Sequence, residues 1–190
     1  MKEELIIASG NEGKIREAQE ILSNYNIIPM KEYDLQIDVE EDEDTFEGNA
    51  IKKAETIARI LEGRKCIADD SGIEIEYLNG FPGVETRRWL DGTDRERNLQ
   101  ILEKLKGVPQ EKRNIKFVSS IAVSDGQHTI SAVAEIQGKV AEEIRGENGF
   151  GFDEIFELPN GKTLAEISPE EKNEISARRK ALEILKEKLS

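Results

Sequence analysis

One cysteine and one histidine occur in 190 residues, and their scarcity narrows the chemistry first. A lone cysteine, Cys66, cannot close an internal disulfide, which fits a reducing compartment. No Cys/His cluster offers a zinc site. A Ser–His or Cys–His nucleophile would have to use His128, at an expected hairpin with nothing around it that suggests such use. Cys66 falls in an expected core strand, where a thiol is packing rather than a nucleophile. Long apolar runs are missing too. The apolar stretch in MKEELIIAS is too short for a secretory signal, and nothing approaches the roughly 18 apolar residues of a membrane span. The expectation is a soluble, cytoplasmic protein. Positive charge is in deficit, 27 Lys and Arg against 40 Asp and Glu for a net charge of −13. Duplex nucleic acid needs a basic face, so it is excluded as a general partner. An acidic chain can still take a small polyanion if local donors and a divalent cation invert the field at the site.

What is present reads as one α/β domain, residues 1–190, with two lobes. Glu4 to Ser9 is an expected buried strand, Gly10 to Gly13 a loop, and Lys14 to about Tyr25 a helix with Ile15, Ala18, Ile21 and Leu22 on its apolar face. Asn26 to Met30 reads as a short strand, followed by an acidic loop. Asp44 or Thr45 caps a helix that runs to about Leu61 and stops at Gly63. Lys65–Asp69 and Ile73–Tyr77 read as two strands flanking Asp70-Ser71-Gly72. Asp94 to Lys106 is an amphipathic helix. Lys116–Ser124 and Thr129–Ile136 pair as a hairpin across Asp125-Gly126. Ser168-Pro169-Glu170-Glu171 starts a terminal helix that continues to Leu189.

Five segments carry candidate chemistry. Ser9-Gly10-Asn11-Glu12-Gly13-Lys14 joins a strand to a helix. Backbone N–H groups there point at an anion, with Lys14 adding charge; the plain alternative is an ordinary glycine-containing turn. The run Glu40 to Asp44 is either a solvated acidic loop favoured by the following helix dipole or a source of metal-ligating oxygens. An EF-hand starting at Asp38 fails, with Glu43 where glycine is needed and Asn49 where the bidentate glutamate is needed. Asp69-Asp70-Ser71-Gly72 ends an apolar strand with two carboxylates that are costly to bury without a cation or donors. It is either a metal site or a polar β-turn. Arg145 to Asp153 is glycine-rich, and Phe150 and Phe152 either present a flat face to a base or rejoin the core. In Glu171 to Arg179, Lys172 and Ser176 share a helical face and Arg178 or Arg179 can join a ligand site.

In this order the elements SGNEGK, DTFEGNA with KKA, IADDSG, GFPGV, RGENGFGFD and SPEEKNEIS resemble those of the inosine triphosphate pyrophosphatase family. These enzymes are also called non-canonical purine NTP or XTP/dITP pyrophosphatases. The match runs from Leu5 to Leu189. The resemblance implies an elongated mixed central sheet with flanking helices, two lobes around a nucleotide cleft, and a homodimer. It implies a magnesium-dependent hydrolase that cuts inosine, deoxyinosine and xanthosine triphosphates to monophosphate and pyrophosphate, cleansing the nucleotide pool. Residue by residue, Ser9, Gly10, Asn11, Glu12, Gly13 and Lys14 would bind the triphosphate. Glu41 and Asp70 would hold magnesium. Ser71, Phe150, Gly151, Phe152, Asp153, Lys172, Ser176 and Arg178 would complete the nucleotide site. In that reaction Lys14 stabilises phosphate charge and Asp70 or Asp69 accepts the proton of the attacking water; the sequence leaves both acids open. The chain departs from the family at Ala177, where histidine is usual, and at Glu154, where proline is usual. The competing readings are a pyrophosphatase for other modified nucleotides and a nucleotide sensor without turnover.

Overall fold

A computed structural model describes residues 2–33 and 37–190; residues 34–36, at the start of the expected acidic loop, lie outside the described residues. The elements follow as β1 (Glu3–Ile7), α1 (Glu12–Ile21), β2 (Tyr25–Pro29), α2 (Phe46–Ile60), β3 (Cys66–Ile75), α3 (Asp94–Lys104), β4 (Asn114–Ser124), β5 (Thr129–Val140), β6 (Phe156–Glu157), α4 (Pro169–Ile175) and α5 (Ala177–Lys188). One six-stranded sheet has the order β2-β1-β3-β4-β5-β6. It is mixed: β1 runs parallel to β2, with Leu5 opposite Ile27, and parallel to β3, with Ile6 opposite Cys66. β5 and β6 are antiparallel, with Val140 opposite Phe156. The expected α/β class with a mixed sheet is what forms.

The chain divides into two compact units, one of residues 1–71, 119–134 and 177–190, the other of 72–118 and 135–176. In the first, helices cover both faces of the parallel strands, so the successive residues Leu5, Ile6 and Ile7 of β1 are all buried. Leu5 and Ile7 join Ile15, Ala18, Ile21, Leu182 and Leu185 of α1 and α5. Ile6 joins Ile57, Ala58 and Leu61 of α2 and its end, with Cys66. Ala50, Ala54, Ala68 and Ala122 form a contact of small residues where α2 lies on the sheet. The second unit has its own core of Ile73, Ile75, Ile101, Leu105, Ile115, Val140, Ile155, Phe156, Leu164 and Ile167.

Three expectations change. β3 is continuous from Cys66 to Ile75, so Asp70-Ser71-Gly72 is strand rather than a turn between strands; Tyr77 falls in a following 3-10 turn. α1 begins at Glu12, two residues early, because the Asn11 side chain caps it, and the chain has already turned into β2 at Tyr25. The terminal helix is two helices. Ser176 is extended, with φ −53° and ψ 128°. Ile175 packs in the core of the second unit, whereas Ala181, Leu182 and Leu185 pack in the first. One helical stripe serves one core, so the helix breaks between them. Thr45, not Asp44, caps α2, accepting from the Gly48 N–H.

Cys66 is buried, and burial pushes its thiol up to about 12. Because the thiolate is the reactive form, alkylation by iodoacetamide at pH 7.5, followed by mass spectrometry, is expected to be at least about 100-fold slower in the folded protein than in guanidinium.

Candidate active site

Continuity of β3 decides the site. Successive residues of a strand point to opposite faces. Ile67 packs on the α1/α5 side and Ala68 on the α2 side. Asp69 follows Ile67 and Asp70 follows Ala68, and their partners agree. Lys14 of α1 donates to Asp69 Oδ1 at 3.0 Å and lies 2.7 Å from Oδ2. Arg178 of α5 reaches Asp69 Oδ2 at 3.4 Å and Ser71 Oγ at 3.3 Å. On the other face, Asn49 of α2 donates to Asp70 Oδ2 at 3.0 Å, and the Ser71 N–H donates to Asp70 Oδ1 at 2.9 Å.

The two neighbours therefore differ electrostatically. Burial alone would push the Asp69 carboxyl up, but the Lys14 ammonium and the Arg178 guanidinium outweigh it and hold the carboxyl at about 2. Burial pushes the Asp70 carboxyl up as well. The Asn49 bond opposes that rise and the nearby Glu41 carboxylate adds to it, so Asp70 stays above the usual carboxylate range. Lys53 of α2 pairs with Glu41 and approaches the Asp69 carbonyl at 3.4 Å.

Asn49 and Lys53 carry more of this site than sequence reading gave them. Asn49 is 1 % exposed, accepts from the Glu43 N–H at 3.0 Å and donates to Asp70, so one amide ties the acidic loop to the strand. Lys53 is four residues on, on the same helical face. A buried asparagine in an otherwise apolar stripe, four residues before a lysine, is the signal that could have found them. Gly48 lets the loop lie close: a Cβ there would meet Glu43 Cβ at 2.9 Å and Thr45 Oγ1 at 3.0 Å.

The loop expected to bind phosphate is more self-contained than expected. Asn11 Oδ1 accepts from the Gly13 N–H at 2.9 Å and the Lys14 N–H at 3.2 Å; Ser9 Oγ accepts from the Asn11 N–H at 3.1 Å. Those three amides are engaged within the loop rather than aimed outward. Glu12 sits in the first turn of α1 and brings a carboxylate, not a donor.

The second unit holds another expected group. Phe150 is 67 % exposed, between Gly149 and Gly151, both in the left-handed region at φ 81° and 64°. Lys172 of α4 pairs with the buried Asp153 and holds its ammonium 4.3 Å from the Phe150 ring centroid, a cation–π contact. Asp153 Oδ2 also accepts from the Phe150 N–H at 2.8 Å. Phe152 instead packs against the core, so one phenylalanine presents a face and the other does not. Ser176 does not share a helical face with Lys172, because α4 ends before it.

The fold and site define a class of α/β proteins whose mixed sheet carries paired acids, with a lysine on each face and a separate exposed aromatic. The chain belongs to the Ham1 family, which it matches over residues 5–188. It is 42% identical over 195 residues to the dITP/XTP pyrophosphatase of Clostridium perfringens, covering 97% of this chain and 96% of that one. It is 42% identical over 188 residues to the dITP/XTP pyrophosphatase of Bacillus subtilis, covering 96% and 94%. Among solved structures, the Ham1 protein of Staphylococcus aureus superposes with a TM-score of 0.92 at 39% identity over 98% of each chain. A HAM1 protein of Coxiella burnetii gives 0.91 at 38% identity, again over 98% of each. The family resemblance read in the motifs is borne out over nearly the whole chain.

The ion cluster predicts an acid-sensitive stability. A carboxyl held below its ordinary 3.8 contributes stability that is complete above that value and is lost as pH falls toward about 2. Asp69→Asn is expected to cost about 3 kcal/mol at neutral pH, since it removes the carboxylate shared by two largely buried cations. The gap from the parent should close between pH 4 and pH 2 in urea denaturation. A gap that stays constant over that range would contradict the ion pairing.

Proposed function

We propose that the chain hydrolyses non-canonical purine nucleoside triphosphates, such as deoxyinosine and xanthosine triphosphates, to the monophosphate and pyrophosphate. This work would cleanse the nucleotide pool. The curated relatives at 42% identity carry the name dITP/XTP pyrophosphatase, and the observation that carries the mechanism is the division of labour between Asp69 and Asp70. Asp69 serves as an anchor that orients Lys14 and Arg178. Asp70, held by the neutral donors Asn49 and Ser71 and raised by burial, is the better proton acceptor of the two.

Glu41 and Asp70 suit a magnesium ion: their oxygens are hard ligands, and their mutual repulsion raises Asp70, a strain that a cation relieves. Among the described residues no cluster of three or more metal-ligating side chains forms. Magnesium needs no such cage, since one or two carboxylates with waters and substrate phosphates are enough. When bound, the ion would neutralise triphosphate charge and favour the nucleophilic form of water. Asn49 would hold the Asp70 carboxylate in place, and Lys53 would hold Glu41. Lys14 would place a positive charge beside the phosphates, and Asp70 would take the proton from the attacking water. Phe150, with Asp153 and Lys172, is assigned to the base, and Arg178 and Ser71 to the nucleotide on the Asp69 face. Ala177 is 2 % exposed, and its methyl offers no donor, so discrimination between 6-oxo and 6-amino purines falls to Arg178, whose guanidinium presents donors in a fixed fork.

The same reading includes a homodimer and a cytoplasmic location, supported by the family resemblance and the single cysteine. No helix among the described residues is long and apolar enough to cross a membrane.

The test is pyrophosphate release from deoxyinosine, xanthosine, inosine and adenosine triphosphates with and without magnesium. The 6-oxo purines should be preferred, and chelation should abolish release. Equal rates on all four, or rates unmoved by chelation, would overturn the substrate or the metal assignment. Asp70→Asn is expected to lower kcat at least about 100-fold, the scale of a lost general base. Glu41→Gln should raise the magnesium concentration for half-maximal rate, and an unmoved titration would make the acidic run a solvated loop.

A further inference from the structure

We infer that Asp94 and Asn98 of α3 are positioning residues for base recognition: they grip the Gly151 residue by its N–H and its carbonyl and thereby fix the Phe150 ring. The inference rests on the assignment of Phe150 to the base. It concerns residues that neither the motifs nor the proposed chemistry touches.

Phe150 sits between two left-handed glycines, at φ 81° and 64°. Glycine populates many conformations, so an aromatic between two of them swings unless its peptides are tied. The tie before the ring is Asp153, which accepts the Phe150 N–H. After the ring, Asp94 Oδ2 accepts the Gly151 N–H at 2.8 Å, and Asn98 Nδ2 donates to the Gly151 carbonyl at 2.9 Å. Asp94 and Asn98 are four residues apart, hence on one face of α3. Thr93 fixes the start of that helix through a complete capping box with Glu96.

Asn98 is the stronger indicator. It is fully buried at 0 % exposure and shares helical spacing with Ile101 and Leu105, where packing alone would choose an aliphatic side chain. Its second amide hydrogen goes to Glu154 Oε2 at 3.2 Å, while its Oδ1 has no hydrogen-bond partner among the described residues. A buried amide with an unpaired end destabilises a fold, and such local conflicts collect at functional sites. Glu154 also faces Arg95 at 3.6 Å, and it supplies a second acceptor that locks the Asn98 amide orientation.

The test separates positioning from folding. Asn98→Leu fills the apolar stripe and removes the grip. Asp94→Ala removes the other half at an exposed position, so one variant remains readable if the other misfolds. Asp94→Asn keeps an oxygen that can accept the Gly151 N–H. With deoxyinosine triphosphate at saturating magnesium, Asn98→Leu and Asp94→Ala are expected to raise KM about 10-fold and leave kcat within about twofold, the scale of one lost hydrogen bond felt in binding only. Asp94→Asn should restore the parent KM. The melting temperature of Asn98→Leu should equal or exceed that of the parent. Calorimetric titration with inosine monophosphate reads the same loss without turnover. Parent-like KM and affinity in folded Asn98→Leu and Asp94→Ala overturn the positioning role and leave the proposed activity standing. Equal falls in kcat and affinity overturn it too, as the mark of a general structural defect. A parent that neither binds inosine monophosphate nor releases pyrophosphate overturns the activity itself, and the positioning role with it.

Discussion

Two adjacent carboxylates in the middle of a buried strand are the constraint around which the first unit is arranged. A lone buried carboxylate is costly, and two next to each other are worse. β3 resolves this by geometry. Its pleat sends Asp69 to one face and Asp70 to the other, so each acid meets a different helix layer. On the Asp69 face, α1 and α5 supply cations; on the Asp70 face, α2 supplies an amide and, one turn later, a lysine. The same pleat that sorts Ile67 and Ala68 into separate hydrophobic clusters sorts the acids into separate electrical environments. Had the segment been the turn its composition suggests, both acids could have found solvent and neither would need a partner.

The proposed chemistry follows from that asymmetry rather than from the count of acids. Asp69 neutralised by Lys14 and Arg178 is a structural hub, and removing it takes a shared carboxylate from two cations. Asp70 held by neutral donors keeps both its charge and its basicity available. Proton transfer from water needs such a group, because a carboxylate already salt-bridged is a poor base. The capped loop from Ser9 to Lys14 points the same way. Its amides at Asn11, Gly13 and Lys14 are held internally, so the positive charge of Lys14, itself positioned by Asp69, is the more telling contribution. In the second unit the same economy of means recurs: the ring of Phe150 is exposed but its backbone is tied by Asp153, Asp94 and Asn98.

Much of this was readable in the chain. Hydrophobic period and capping signals located α2 with its start at Asp44 or Thr45, α3, and the Ser168-Pro169 start of α4, because these depend on contacts within a few residues. The acids, Lys14, the Phe150 loop and Lys172 were legible as chemistry-bearing types in motif order. Asn49, Lys53, Asp94 and Asn98 were not singled out. Their types are common on helices, and their importance lies in partners 16 to 53 residues away.

The sequence by itself determined the class of the fold, the family and the set of reactive side chains, since all of these are carried by local patterning and by short motifs. The tertiary structure decided what each side chain is for. It made Asp69 an anchor and Asp70 a candidate base, although the two are chemically identical and adjacent. It broke the terminal helix at Ser176, since the residues on either side join different cores, and it turned Phe152 inward while leaving Phe150 in solvent. The physical reason is common to all three. Which face of a strand or helix a residue occupies follows from its own element, but what waits on that face comes from segments distant in the chain, and the electric field and packing there are absent until those segments have folded.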